Sequence, residues 1–294
     1  MRTLSISLLL LMGLVACSQN REHYMDLSGE WKVRLDRDDV GISESWYNED
    51  FTQTLMLPGS LVENGLGDEI SVQTAWTGLI VDSSWYHADK YAPYRQEGNI
   101  KIPFWLQPEL KYTGAAWYQK ELLIPESWNS KHIVLHLERA HWETRVWIDD
   151  REIGSRNYLA TPHEFELTGK LTPGRHTITV LVDNRIKEVN PGINSHSIAD
   201  HTQSNWNGLV GELSLQARPM LFIEHTSLFP DVISGNVKAV VKIRNVTGRA
   251  QGGRIQLECS EMETGRKLEK LSLEFSLDKD RESETFEPVS YTHL

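Results

Sequence analysis

Apolar residues alternate with polar ones at every second position through much of this chain, the period of a half-buried strand rather than a helix. Residues 176–182 (HTITVLV) are the cleanest case: Ile178, Val180 and Val182 share one face, Thr177 and Thr179 the other. Pro173-Gly174 just before them is a turn signal. Residues 115–124 (AAWYQKELLI), rich in aromatic and aliphatic side chains and stopped by Pro125, predict another strand. Shorter strands are expected over 132–137, 145–149 and 151–154, with Asp149-Asp150 turning between the last two. Long amphipathic helices are missing. Short strands punctuated by Gly and Pro predict an all-β chain, an antiparallel sandwich or jelly roll.

The pattern changes near Arg218-Pro219. Before it, residues 211–215 close one set of strands. After it, aromatic residues thin out and alternating strands are spaced at 237–243, 253–259 and 271–275. The expected organisation is a jelly-roll domain over 26–218, followed over 219–288 by an immunoglobulin-like β-sandwich.

The N-terminus carries a targeting signal. Met1-Arg2 is positive, and the apolar run over 4–14 is too short to span a bilayer. Leu14-Val15-Ala16-Cys17 then places small residues before a Cys, the cleavage signature of a bacterial lipoprotein. Residues 1–17 are expected to be the signal peptide, Cys17 the lipidated new N-terminus, and 18–25 a polar tether. The competing reading is a plain secretory signal in which Cys17 has no part. Either way the protein is exported, and with Cys17 acylated it meets a membrane through its lipid anchor alone. Cys259 is the second of two Cys, so no disulfide framework is expected; its alternating surroundings predict a small buried apolar residue.

Composition removes several function classes. A net charge of −11 argues against nucleic acid as a partner. No later run of 18 apolar residues occurs. The chain has no phosphate-binding glycine loop, no paired CxxC, no HExxH and no GxSxG. No cofactor is expected. The last six residues, Val289-Ser290-Tyr291-Thr292-His293-Leu294, are what the end of a transposon-based sequencing adapter encodes in one frame, so 289–294 is expected to be an artefact.

Ten of the 26 aromatic residues fall within residues 76–118: Trp76, Trp85, Tyr86, Tyr91, Tyr94, Phe104, Trp105, Tyr112, Trp117 and Tyr118. Rings set among hydrogen-bonding residues suit a sugar, whose C–H face packs on an aromatic while its hydroxyls take polar partners. The competing reading is ordinary burial of large rings.

An ordered set of motifs resembles glycoside hydrolase family 2. Gly114-Ala115-Ala116-Trp117-Tyr118 with Ile124-Pro125 looks like a strand motif of the family's sugar-binding domain. Leu137-Glu138-Arg139-Ala140-His141-Trp142-Glu143-Thr144 and Val146-Trp147-Ile148-Asp149 follow in the family's order. Thr161-Pro162-His163-Glu164-Phe165 comes next, then Val180-Leu181-Val182-Asp183-Asn184-Arg185. Asn205-Trp206-Asn207-Gly208-Leu209-Val210-Gly211 is similar to the domain's closing motif. The resemblance implies a β-galactosidase-like or β-glucuronidase-like exo-glycosidase. In that family two Glu residues of a separate (β/α)8 barrel act as acid and nucleophile, about 5–5.5 Å apart for retention. A barrel takes roughly 250 residues of alternating strand and helix, and nothing after Pro219 alternates so. No catalytic residue is therefore expected in this chain, which would pack against a barrel that it lacks.

The same resemblance places a loop of the first domain at the barrel's mouth. Carried over, it implies that Asp200 binds sugar hydroxyls, with His196, His201, Asn205 and Asn207 as supporting donors and acceptors. The alternative is a loop whose polar groups brace the fold. His196, Asp200 and His201 also offer three metal-ligand types, but not at a standard spacing, and no metal is expected. Asn64-Gly65-Leu66-Gly67-Asp68 is another loop that the family could bring near substrate. Two functions remain open: the front of an exported glycosidase, with the terminal sugar of a glycan as its partner, or a stand-alone carbohydrate-binding lipoprotein. A β-sandwich used only for assembly is a third.

Overall fold

The computed structural model describes residues 23–76, 82–101, 108–187, 205–231, 233, 236–258, 260, 264–267, 270–279, 283–286 and 289–290. Cys17, Phe104, Trp105, His196, Asp200, His201, Cys259 and most of 289–294 lie outside them. Among the described residues no helix is long and apolar enough to cross a membrane.

The chain divides into two compact units, 23–216 without 130–132, and 217–294 with 130–132. Strands of the first unit are β1 (Tyr24–Asp26), β2 (Gly29–Asp36), β3 (Gln53–Leu57), β4 (Gly59–Ser60), β5 (Asp68–Glu69), β6 (Leu110–Lys111) and β7 (Ala115–Ile124). They continue with β8 (His132–His141), β9 (Glu143–Ile148), β10 (Arg151–Arg156), β11 (His163–Glu166), β12 (Gly174–Asp183) and β13 (Gly208–Arg218). One sheet runs β1-β13-β8-β11 with β4 added on β13, and the other runs β10-β9-β12-β7-β2-β3. The all-β antiparallel reading is borne out. Strands 115–124 and 176–182 lie where the alternation predicts them, with the second extended to 174–183. Asp149 makes the expected turn at a φ of 52°.

The inward faces of the two sheets supply the core. Trp31, Ala116, Tyr118, Val146, Ile178, Val180 and Val182 of one sheet and Leu135, Leu137, Phe165, Leu213 and Leu215 of the other are all but completely buried. In one respect the alternation misleads. Thr179 belongs to the polar face of β12, yet it too has no exposure. Residues 37–51 lie over the outer face of the six-stranded sheet, where Trp46 and Phe51 pack on Ala115, Trp117, Trp147 and Leu181. The centre of that sheet is covered on both sides.

The aromatic-rich stretch resolves into several environments. Trp76, Trp85, Tyr112, Trp117 and Tyr118 are buried, and Tyr91 is partly so. Trp76 and Trp85 form a small core of their own with Ile70, Val72, Tyr91 and Ile100. Trp85 Nε1 donates to the Lys101 carbonyl at 3.0 Å, and Arg95 donates to the carbonyls of Trp85 and Ala88. Only Tyr86 and Tyr94 of the described rings are exposed. Burial, not an open aromatic platform, accounts for most of the cluster.

The second unit contains β14 (Leu221–Asp231), β15 (Asn236–Asn245), β16 (Gln251–Leu257), β17 (Leu271–Leu277), β18 (Ser283–Phe286) and β19 (Val289–Ser290). β14-β15-β18 form one sheet, with β19 on β15, and β16-β17 form another. Ala239, Val241, Ile243, Ile255 and Leu277 are its buried centre. Val289 and Ser290 pair through the backbone with Lys238 and Val237, a ladder that uses no side chain and so carries no sequence information.

One buried titratable group makes the first unit sensitive to pH. His163 is fully buried, donating from Nε2 to the Tyr158 carbonyl at 2.7 Å and accepting at Nδ1 from the Thr144 hydroxyl at 2.7 Å. Burial holds its pKa below the ordinary 6.5, against the carbonyl's opposing pull. The unfolded chain thus binds the proton more tightly, so His163 contributes stability above pH 6.5 that is lost as pH falls through the lower folded value. Thermal melts should lose less between pH 6.5 and 5 in His163→Gln than in the parent; equal losses would assign the effect to other groups.

Candidate functional site

The segment holding His196, Asp200 and His201 leaves the described chain after Lys187 and returns at Asn205. Its two stems are built from β12, β13 and the approach to β7. Asn184, directly after β12, donates through Nδ2 to the Tyr112 carbonyl at 2.9 Å and to Asn205 Oδ1 at 3.1 Å. Its Oδ1 accepts from the Gly114 amide at 2.8 Å, and Asn205 Nδ2 returns a bond to the Asn184 carbonyl at 2.9 Å. The two asparagines therefore clamp the ends of the 188–204 segment side chain to side chain and side chain to backbone. Lys111, itself buried, donates to the Asn205 carbonyl at 3.3 Å and lies over the Trp76 ring.

Asn207 ties the same stem to the sheets. Its Nδ2 donates to the carbonyls of Gly114 and Val182, each at 2.9 Å, and its Oδ1 accepts from the Tyr118 hydroxyl at 2.7 Å. Burial pushes the Tyr118 phenol well up, so it stays a protonated donor. Gly208 follows because the chain passes too close to β4 for a side chain: a Cβ there would lie 2.5 Å from the Gly59 carbonyl oxygen. Gly114, at a φ of 155°, supplies both an amide and a carbonyl to this knot.

Asn205 and Asn207 are among the expected supporting donors and acceptors for a sugar. Asn205 and Asn207 are 3% and 1% exposed and hold their amides against the chain itself. In this structure their amides brace the stems. Asp200, His196 and His201 lie outside the described residues, as does Cys17. Asn184, Tyr118, Gly114 and Lys111 complete the arrangement. The sequence displayed three of them inside quoted motifs, but a lone Asn or Gly carries no periodic signal that would assign it a role.

The stem also carries charge and half-buried rings. Asp183, 3% exposed, receives Arg185 Nη2 at 2.6 Å and Lys187 Nζ at 2.9 Å. Burial alone would push its carboxyl up, but those two cations outweigh it and hold it below the usual carboxylate range. Arg185 also grips Asp39, and Lys187 reaches Glu143 at 2.7 Å. Beside them, buried His141 donates from Nδ1 to the Trp206 carbonyl at 2.8 Å, with its ring 4.6 Å from the Trp206 indole and 6.2 Å from that of Trp142. Both indoles are half-buried, so each keeps some surface for a ligand. No group of three or more metal-ligating side chains occurs among the described residues.

Known proteins resemble this chain in sequence and fold. A β-glucuronidase of Paenibacillus borealis is 22% identical over 222 residues, 70% of this chain and 31% of that protein. A β-galactosidase of Arthrobacter sp. (strain B7) is 24% identical over 205 residues, 67% of this chain and 18% of that protein. The chain thus spans less than a third of either relative. Among solved structures, Bacteroides uniformis β-glucuronidase 2 matches with a TM-score of 0.61 at 17% identity, covering 91% of this chain and 27% of that one. A putative β-galactosidase from Bacteroides fragilis gives 0.61 at 13% identity, covering 92% and 36%. At such identities the likeness is one of fold.

Bracing and ligand contact predict different outcomes for Asn207. Asn207→Asp would set a carboxylate against two carbonyl oxygens; it is expected to lower stability by about 3 kcal/mol or more, as the Gly114 and Val182 carbonyls lose their donor and a charge is buried beside them. A denaturation midpoint equal to the parent's would rule out the clamp. The model of the glycosyl hydrolases family 2 sugar binding domain matches residues 24–219, more than half of the chain and all of the clamp: this chain belongs to glycoside hydrolase family 2.

Proposed function

We propose that this chain is the non-catalytic front of an exported exo-glycosidase that hydrolyses O-glycosyl bonds at a glycan's terminal sugar, with retention, in the manner of a β-galactosidase or β-glucuronidase. The observation that carries the reading is the family match over 24–219 in a chain spanning only 31% and 18% of its two relatives. The described residues contain no strand–helix repeat, so the two catalytic Glu would sit in a barrel against which these units pack. Residues 219–288 are read as the family's immunoglobulin-like domain, and Cys17 as the lipid anchor.

Within this reading the Asn184–Asn205 clamp exists to present the 188–204 segment. Asp200 is the sugar ligand, accepting charge-assisted hydrogen bonds from two hydroxyls, with His196 and His201 beside it. Asn205 and Asn207 keep the stem rigid, which lowers the entropy cost of holding a ligand.

The test starts with the gene read past codon 288 by a method without transposon adapters. A frame running on into strand–helix repeats with two strand-end Glu supports the enzyme; a natural stop within a few codons leaves a stand-alone sugar-binding lipoprotein. In the longer protein, Asp200→Ala should lower kcat/KM on a chromogenic galactoside or glucuronide about 100-fold, for two lost charged hydrogen bonds, with the melting temperature unchanged. Unchanged activity would remove Asp200 from the site. Cys17→Ser should move the protein from the membrane to the soluble fraction, and retention at the membrane would defeat the anchor.

A further inference from the structure

The outer face of the six-stranded sheet is only partly covered. Residues 37–51 seal the end nearest Trp117 and Leu181. Beyond them, the same face opens as a cleft of about 470 Å³ lined by Lys32, Tyr47, Gln119, Glu121, Asp150 and Thr177, with Asn48, Glu49, Asp50 and Asp149 around it. That volume is in the range that small-molecule clefts occupy. From Thr177 to Asp183, where the 188–204 stem begins, β12 runs six residues, roughly 20 Å at about 3.3 Å per residue.

Three features of the cleft point to the same kind of ligand. The first is a fixed ring. Tyr47 stacks on Trp147 at 5.3 Å between centroids and 8° between planes, so one face is spent and the residue, half-buried, is held rigid at the cleft. The second is a buried acceptor. Gln119 is 4% exposed and commits Nε2 to the Glu49 carbonyl at 2.9 Å and the Thr179 hydroxyl at 3.3 Å, which leaves Oε1 without a donor among the described residues. The third is charge. Glu49, Asp50, Glu121, Asp149 and Asp150 surround the single ammonium of Lys32. Lys32 is already paired with Asp50 and Glu121, Glu49 with Arg34, and Asp149 with His176 and the Thr177 amide.

We propose that this cleft is a second carbohydrate site, one that binds a neutral oligosaccharide. A pyranose C–H face packs on the outer face of Tyr47, while its hydroxyls donate to Gln119 Oε1 and to the carboxylates of Glu121 and Asp150. Surplus negative charge turns away uronic acids and sulfated glycans. No cluster of metal-ligating groups forms here among the described residues, so the acids are not a cation site. The site deepens the glycosidase reading by giving the front of the enzyme its own hold on a glycan, and it does not require that reading.

Calorimetric titration of this chain alone with lactose, cellobiose and xylobiose, and with glucuronic acid as the charged control, tests the proposal. At least one neutral disaccharide should bind with a millimolar dissociation constant, on the order of −4 kcal/mol, and glucuronic acid should not. Tyr47→Ala should weaken binding about tenfold, the worth of one aromatic contact. Glu121→Ala, at an exposed carboxylate, should weaken it without moving the melting temperature, and it decides the matter if Tyr47→Ala melts early. No heat from any neutral disaccharide, undiminished binding by both variants, or equal binding of glucuronic acid would overturn the site. Hydrolysis by the longer protein is read separately, so failure here leaves the glycosidase proposal standing, and the reverse holds too.

Discussion

A single buried amide holds the first unit's strand ends in place. Asn207 bonds Gly114 before β7, Val182 at the end of β12, and the Tyr118 hydroxyl within β7, and its own backbone carbonyl accepts from the Leu61 amide at 2.9 Å. Strand ends are where backbone groups lose their ladder partners, and a buried carbonyl left open costs as much as a lost hydrogen bond. An asparagine side chain supplies two donors and an acceptor in one plane, which is what this junction lacks. Asn184 solves the same problem for Tyr112 and Gly114, and it exchanges hydrogen bonds with Asn205.

The six-stranded sheet shows how a covering segment changes what a strand's composition must be. Its inner face is a standard apolar layer. On the outer face, Trp117, Trp147 and Leu181 need cover, and Trp46 and Phe51 provide it. Arg34 lies 3.5 Å over the Trp46 ring and pairs with Glu49, so the cover is pinned by charge as well as by packing. Where the cover stops, polar residues resume and the cleft beside Tyr47 opens.

Strand positions were legible because alternation is local, and β7 and β12 show it without help from the rest of the chain. The burial of Thr179 was not, because its hydroxyl accepts from Gln119, whose amide also reaches the Glu49 carbonyl, partners that local alternation does not reveal. The aromatic concentration was legible as a feature but not as a role: Trp76 and Trp85 pack on one another's neighbours instead of facing solvent. The site divided in the same way. Motif order identified the family, and it marked Asn205 and Asn207 as important. Whether an amide faces a ligand or its own backbone is set by three-dimensional closure, and one-dimensional spacing is silent on it.

The small core around Trp76 and Trp85 has an evolutionary consequence. Ile70, Val72, Tyr91 and Ile100 complete it without drawing on either large sheet. Residues around these rings can vary or be replaced while the strands that carry the clamp keep their own packing. Change within this appendage therefore reaches the clamp through one side chain, Lys111, which lies over the Trp76 ring and donates to the Asn205 carbonyl.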